Sequence, residues 1–349
     1  VIAADKLAAF CADILRAVSV PGESARLVAD TLVAADLRDT ASHGVMLLPL
    51  YVDRIVAGSI APDGVGKIVS DRAGAIVLDA ENALGQVTST RAVQLAVERA
   101  RAHGMAAVAV RNGFHFGTAG HWAEAMTRED CVGIVMSNTR PLMPAPGGAE
   151  RVVGNNPLAI AVPAAEGAPI VLDLALSAVA MGKIRLADAS GAPIPEGWAT
   201  DADGNPTTDP AAAIKGMLLP AGGAKGFGLA LLIDLLCGGL SSGAIGDMVR
   251  PLYGDPAIPY RCAHLFVAID ISAFLPVAVF AKTAESLAQK IRGGRRVAPD
   301  GPAPRVPGDR PRLAYETNAG LCHLSAATAR ALRALGEAHG VPVPAEFFP

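Results

Sequence analysis

The sequence predicts an α/β fold with helical elements at both ends. Three observations carry this. The first sixty residues show helical spacing of apolar side chains. Residues 75–137 alternate short apolar runs with longer periodic segments. The last periodic segment, Ala326–His339, is again helical.

In the first segment, Leu7, Phe10, Cys11, Ile14, Leu15 and Val18 fall on one helix face, and Pro21-Gly22 ends that helix. Leu27, Val28, Thr31, Leu32 and Ala35 form a second face after Ser24. Ser42 is the expected N-cap of a third helix, with Leu47, Leu50, Tyr51 and Ile55 inside and Gly58 as its stop. Past Pro62 the texture changes. Ala75–Asp79 reads as a strand, Val87–Ala102 as a helix closed by His103-Gly104, and Met105–Arg111 as a buried strand. Thr118–Glu129 reads as a helix and Val132–Ser137 as a strand. This order predicts right-handed parallel β-α-β crossovers. Further strands are expected at Leu158–Val162, Pro169–Asp173 and His264–Asp270. Residues 188–223 are dense in turn formers yet keep apolar anchors such as Ile194 and Trp198, so they are expected to be ordered loops. Gly226–Leu240 reads as a buried helix, and the Gly-, Pro- and Arg-rich stretch 293–312 as a surface arm. No internal repeat is present.

Composition excludes several classes. The 349 residues carry 30 Lys+Arg and 33 Asp+Glu, a formal net charge of −3. With no basic stripe to displace counterions, a phosphate-backbone binder is not expected. At 51% apolar and 18% charged the chain is too hydrophobic to remain disordered. Its most apolar stretch, Gly226–Leu240, carries Asp234 and falls short of the roughly 20 residues a membrane span needs. The opening VIAADKLAAF lacks the pattern of a signal peptide. Five cysteines, none in a CxxC pair, predict free thiols in a reducing cytoplasm, with neither a disulfide framework nor a metal site.

The familiar nucleotide loops are missing. No G-x-G-x-x-G follows a strand, and no G-x-x-x-x-G-K-[ST], H-E-x-x-H or G-x-S-x-G occurs. Other residues bear chemistry. His115 follows a predicted strand and precedes a helix, where open α/β sheets receive ligands. It is either a general acid/base or a loop histidine bonded to backbone. Ser42-His43-Gly44 at the expected helix start suits an anion, or is simply a cap beside an exposed imidazole. Arg54 and Tyr51 lie further along that helix. Lys225, in Gly222-Gly223-Ala224-Lys225-Gly226, suits a phosphate or carboxylate, or is a solvated lysine in a tight loop. Asp173 ends a strand where an acid meets a ribose hydroxyl. Asp201 is open to a turn reading.

Taken in order, SHGVMLLPLYVDRI, HFG, P-x-P-G-G, GNNPLAIAVP, VLDLALSAVAMGK, IPEGWATDADGNPTTDP and LLPAGGAKGFGLAL resemble the malate/L-lactate dehydrogenase-like oxidoreductases, over about residues 5–340. Relatives of that kind include ureidoglycolate and sulfolactate dehydrogenases and diketogulonate and cyclic-imine reductases. The resemblance implies a non-Rossmann NAD(P)-binding mixed sheet, a homodimer, NAD or NADP as cofactor and no metal. It implies a helical segment 1–70 packed with helices of 310–349, a β-α-β segment 71–137 carrying the catalytic histidine, and a cofactor-binding domain 138–309. It assigns the acid/base to His115, with His43 and Asp201 as the next catalytic candidates, a pocket role to Ser42 and His43, and an acid of imine-reducing members to Asp201. Thr139, Asp173, Leu174, Ala175 and Lys225 match nucleotide or substrate contacts, and Arg305 to Gly308 a late cofactor loop. A cationic or helix-terminal group, around Ser42-His43 or at Arg54, is expected to hold the substrate carboxylate. The sequence departs from the family pattern at Gly113-Phe114, where Ser-Asn or Ser-Ser is usual, and at Gly154-Asn155-Asn156-Pro157. Both are expected to touch the pocket. The implied activity is hydride transfer between nicotinamide and a 2-hydroxy/2-oxo acid pair. The alternatives are a cyclic imino acid reductase and a catalytically silent scaffold.

Overall fold

The computed structural model describes residues 1–298 and 300–347. A short strand β1 (Ile2–Ala3) leads into helices α1 (Ala4–Ala17), α2 (Gly22–Leu37) and α3 (Leu48–Val56). Their buried faces (Leu7, Phe10, Ile14, Val28, Leu32 and Tyr51 among them) share one core with Cys322, Leu332, Val341 and Phe347 from the other end of the chain. That end consists of α10 (Asp309–Asn318), β11 (Leu321–Cys322), which pairs with β1, and α11 (Ala326–Ala338).

The third helix does not start at Ser42. Residues Ala41–His43 and Val45–Leu47 form two short 3₁₀ turns, and α3 begins at Leu48 with Pro49 in its first turn. Ser42 makes no capping bond; its hydroxyl turns to His43 Nδ1, 3.0 Å away. The expected anion site at a helix N-terminus is therefore absent at Ser42.

A seven-stranded mixed sheet forms the centre. Its strands are β2 (Lys67–Arg72), β3 (Ala75–Asp79), β4 (Met105–Gly113), β5 (Cys131–Ser137), β6 (Leu158–Val162), β7 (Ile170–Leu174) and β10 (Cys262–Asp270), in the order β2-β3-β4-β10-β5-β6-β7. β3 and β4 are parallel, joined across α4 (Gly85–His103). The second expected crossover, from β4 through α5 (Ala119–Thr127) to β5, leaves a gap that β10 fills, antiparallel to both. β10 suits this place because it is apolar on both faces. Phe266 and Ala268 enter the core beneath α4 and α5, and Ala263 and Leu265 enter the core on the opposite side.

The opposite face is covered by α6 (Met181–Ser190), the hairpin of β8 (Ala199–Thr200) and β9 (Met217–Leu218), α7 (Pro210–Lys215) and α8 (Ala224–Asp234). A π-helical turn, Leu235–Gly239, extends α8. The expectation that Gly226–Leu240 is buried holds for only one side. Ala230, Ile233 and Cys237 face inward, whereas Leu229, Leu231, Leu232, Leu235, Leu236 and Leu240 are 38–59% exposed. The sequence also gave no sign of α9 (Val277–Arg292), whose inward stripe is only Ala281, Glu285 and Ala288. The supposed surface arm 293–312 enters α10 at Asp309. All five cysteines are free and buried. Among the described residues no helix is long and apolar enough to cross a membrane, and no cluster of metal-binding side chains occurs.

Candidate active site

β4 delivers Phe114-His115-Phe116 to its carboxyl end, and three devices hold that turn. Gly85, the first residue of α4, lets the helix meet the backbone: a Cβ there would lie 2.4 Å from the carbonyl oxygens of Phe114 and His115. The buried His264 ring on β10 stacks on Phe116 with centroids 4.3 Å apart. Its Nε2–H donates to the Phe114 carbonyl at 3.2 Å, so its Nδ1, 2.8 Å from the Ser137 hydroxyl, is the acceptor. Burial lowers the His264 pKa to about 4, which keeps it neutral. Third, the Trp122 indole donates to the Phe116 carbonyl at 2.9 Å.

The His115 ring faces Tyr51 of α3. Tyr51 Oη lies 2.7 Å from His115 Nδ1 and 3.0 Å from the His115 carbonyl oxygen, and Gln86 Nε2 donates to the same hydroxyl at 3.0 Å. The Gly117 N–H points at Nδ1 from 3.4 Å. This set serves both protonation states. With Nδ1 bare, the Tyr51 proton turns to it. With Nδ1 protonated, Nδ1–H donates to Tyr51, which donates to the His115 carbonyl. The His43 ring stands 5.3 Å from that of His115. Burial first, then the charges of His43 and His264, hold the His115 pKa well below its usual value. Burial also lowers that of His43. Two neutral imidazoles side by side are the expected resting state.

His43 opens onto a cleft of about 900 Å³ walled by α2, the start of α5, β7 and the start of α10. Gly117–His121, Asp173–Ala175 and Pro307-Gly308 line it. Asp173 Oδ2 accepts the Gly120 N–H at 2.8 Å, and a Cβ at Gly120 would lie 2.7 Å from that oxygen. Burial raises the Asp173 carboxyl to about 6 against the opposing effect of this bond. Gly308, at φ +93°, sits against Val171, whose N–H donates to the Pro307 carbonyl at 3.2 Å. Arg38, paired with Glu124 at 2.6 Å, and Arg312, paired with Glu316 at 2.8 Å, stand on the rim.

His43, Asp173, Leu174, Ala175 and Gly308 thus line one cleft, and His115 stands behind His43, its ring 5.3 Å from that of His43 and outside the lining. Ser42 is exposed beside His43. Thr139, Lys225 and Arg305 lie outside the lining. The Thr139 hydroxyl donates to Asn155 Oδ1 at 3.1 Å, while Lys225 is exposed at the start of α8 and Arg305 is exposed before Gly308. Arg54 does not face the cleft. It is 1% exposed, and its guanidinium donates to the carbonyls of Ile258, Pro251 and Leu252 at 2.7–3.0 Å. It anchors a loop and has no free face for a substrate carboxylate. Asp201 accepts the N–H groups of Asp203 and Asn205 at 3.0 and 2.9 Å, organising a tight turn. Those bonds hold its carboxyl below the usual range, so it is a poor proton donor near neutrality. The departure at Gly113-Phe114 does not alter the cleft either. Phe114 is 2% exposed in the core against Tyr51 and Tyr260, and Gly113 leaves room for the His264 ring.

A family profile described as malate/L-lactate dehydrogenase matches residues 2–333. The chain belongs to the malate/L-lactate dehydrogenase family. Within that family, it is 37% identical over 300 residues to malate dehydrogenase from Pyrococcus horikoshii, covering 84% of this chain and 82% of that protein. It is 33% identical over 279 residues to Δ1-pyrroline-2-carboxylate reductase 1 from Burkholderia ambifaria, covering 79% and 81%. The solved structure of sulfolactate dehydrogenase from Methanocaldococcus jannaschii superposes with a TM-score of 0.93 at 33% identity, covering 98% of each chain.

Sequence reasoning missed three parts of this candidate site. The pairing of Tyr51 with His115, 64 residues on, and the support of the Tyr51 hydroxyl by Gln86 are announced by no local motif. Asp36 on α2 accepts the Val45 N–H at 2.8 Å and fills the space beside Gly44, fixing the loop that carries His43. Asn138 after β5 and Asn156 before β6, both fully buried, tie these strand ends to α8 through Asp234 and the Ala230 carbonyl.

Proposed function

We propose that this chain is an NAD(P)-dependent dehydrogenase that moves a hydride between the nicotinamide and C2 of a small 2-hydroxy acid/2-oxo acid pair. One observation carries the reading: a histidine whose Nδ1 meets a hydroxyl able to donate or accept stands beside His43, which opens onto a cleft large enough for a dinucleotide. The donor set suits that cofactor. Asp173 has one oxygen committed to Gly120 and the other available to ribose hydroxyls, and the Gly120 and Gly308 backbones permit close approach. The bound nicotinamide supplies or accepts the hydride. In reduction His115 gives a proton to the carbonyl oxygen as negative charge develops there. In oxidation it takes the hydroxyl proton. Tyr51 and Gln86 hold the ring in either state. The overall change converts a 2-oxo acid, a reduced nicotinamide and a proton to a 2-hydroxy acid and the oxidised cofactor. Either NAD or NADP is accommodated by this reading.

A reductase of cyclic imino acids is the second reading, favoured by the reductase relative. It loses support at Asp201, whose carboxylate is engaged within its own turn. A panel of 2-oxo acids and cyclic imines, assayed with NADH and with NADPH, separates the two. Turnover of imines alone would overturn the first reading, and binding of neither cofactor would leave only the silent scaffold.

We infer also that the chain works as a homodimer in the cytoplasm. The row of exposed leucines along α8 and its π-helical extension supports a covered face. The five free thiols support a reducing compartment.

A further inference from the structure

Helix α9 ends at Arg292, and the ion pair this residue makes reaches the wall of the cleft. Arg292 donates to Asp309 twice, from Nη2 to Oδ1 at 2.8 Å and from Nε to Oδ2 at 3.1 Å. A guanidinium held on a carboxylate by two bonds is fixed in orientation as well as distance. Asp309 Oδ2 also accepts the Val306 N–H at 3.0 Å, and the Asp309 N–H donates to the Val306 carbonyl at 3.2 Å. Asp309 therefore closes the turn Val306-Pro307-Gly308-Asp309 with its side chain and its backbone together. The bonds from Arg292, first among several causes, hold the Asp309 carboxyl below the usual carboxylate range, so the pair is ionised near neutrality.

The turn has few groups of its own with which to hold its place. Pro307 has no N–H to give, and Gly308, at φ +93°, has no side chain. The sheet holds it through the Val171 N–H, which donates to the Pro307 carbonyl at 3.2 Å. Val171, Pro307 and Gly308 all line the cleft, whereas Arg292 and Asp309 stand outside the lining. The pair closes a connection of 17 residues, and the returning end of that connection is the cleft wall.

α9 also backs a second part of the same wall. Glu285 is buried in an inward stripe otherwise made of Ala281 and Ala288. Its Oε1 accepts from Gln289 Nε2 at 3.1 Å and lies 4.0 Å from Arg292 Nη1. Its Oε2, without a hydrogen-bond partner among the described residues, faces Gly167, where a Cβ would lie 2.7 Å away. Ala168 and Pro169, the next two residues, line the cleft. A carboxylate in an alanine stripe is costly to bury, and its place beside Arg292 accounts for it.

We propose that Arg292 is a positioning residue for the dinucleotide: through Asp309 it holds the 306–309 turn, and with it the Gly308 end of the cleft, in the shape that receives the cofactor. The proposal rests on the dehydrogenase reading above. Arg292 makes no contact with the cofactor in this account, and Asp309 neutralises its charge. A wall that is formed only part of the time lowers the apparent affinity by that fraction.

The test uses the whole enzyme in three variants: Arg292→Met, Asp309→Asn, which keeps an acceptor for Val306, and the two together. Affinity is read from the fluorescence of NADH and NADPH on titration, beside the melting temperature of the cofactor-free protein. Each single change should raise the cofactor Kd by about 3- to 10-fold. The double variant should stay within about twofold of the weaker single one, because both changes release the same turn. The cofactor KM should follow Kd, while kcat at saturating cofactor and the KM of the 2-oxo acid stay within about twofold. Arg292→Lys, which replaces two bonds by one, should recover part of the affinity. With Asp309→Asn it also keeps the test open if Arg292→Met fails to fold. Opposite effects of the single changes, weaker binding in Arg292→Met and tighter binding in Asp309→Asn, would show that charge acts directly on the anionic cofactor and overturn the proposal. A lowered melting temperature with an unchanged Kd overturns it too, since the pair would then be a structural tie alone. Both outcomes leave the dehydrogenase reading standing. Failure of the wild type to bind NADH or NADPH overturns that reading, and the proposal with it.

Discussion

The Tyr51 hydroxyl lies 2.7 Å from His115 Nδ1 although 64 residues separate them in the chain. The acid/base role proposed for His115 rests on this contact. It fixes the ring, and it can donate to Nδ1 or accept from it. Tyr51→Phe keeps the buried ring and removes only the hydroxyl. A hydrogen bond to a charged partner contributes about 1.5–3 kcal/mol, so turnover in reduction, which needs the imidazolium, should fall about 10- to 150-fold. Cofactor affinity, measured by nicotinamide fluorescence, should stay within about twofold. An unchanged turnover number would remove Tyr51 from the account.

The loop carrying His43 depends on a glycine for space. Gly44 has an ordinary φ of −92°, yet a Cβ there would lie 2.3 Å from the Asp36 carboxylate. Gly44→Ala must push α2 and the His43 loop apart. Overpacking of this kind costs about 1–3 kcal/mol. A lowered melting temperature together with a raised KM is expected. A variant with wild-type melting and kinetics would contradict the placement of Asp36.

Asp36 itself predicts a pH dependence. Burial raises its carboxyl from 3.8 to about 6, outweighing the Val45 N–H that favours the anion. The folded chain therefore binds this proton more tightly than the unfolded chain. The stability contribution is complete below about pH 4 and is lost as pH rises through about 6. Asp36→Asn keeps an acceptor for Val45 and cannot ionise. Denaturant titrations should show the variant gaining on the wild type between pH 4 and pH 7, by up to about 3 kcal/mol. A difference independent of pH would refute the shifted carboxyl.

Much of this was legible in the sequence where the signal is local. Helical spacing located α1 and α2, and short apolar runs located β3, β4, β5 and β6. His115 was marked by its place after a strand. The failures are non-local or contextual. β10 inserts between β4 and β5 because it is apolar on both faces, and no strand-helix-strand rhythm near residue 131 reveals a partner at residue 262. Ser42 looked like an N-cap because cap residues are read without the following geometry, and the chain instead takes two 3₁₀ turns before Pro49. Arg54 and Asp201 were of the right chemical type for a site, but their hydrogen bonds go to backbone groups, which type alone does not disclose. Gly226–Leu240 looked buried because apolar composition does not distinguish a core from a face awaiting a partner.

That face yields a prediction on assembly. Leu232 and Leu235 are 56% and 46% exposed on the side of α8 away from the core. Light scattering should give twice the chain mass for the wild type at micromolar concentration. Leu232→Glu, which disturbs no internal packing, should shift the mass toward a single chain. A monomeric wild type would overturn the inferred dimer.

The central claim is that His115 moves the proton, and its most direct test is His115→Ala followed in both reaction directions against pH. Burial and the neighbouring histidines keep the wild-type pKa well below 6.5. Oxidation, which needs the neutral ring, should hold its kcat/KM as pH falls toward 6. Reduction, which needs the protonated ring, should gain steadily over the same range. The alanine variant should bind NADH or NADPH as the wild type does, lose about 10²- to 10⁴-fold in turnover, and lose the difference between the two pH trends. Retention of more than about a tenth of the turnover with both pH trends intact would contradict the account, because a group contributing so little is not the acid and base.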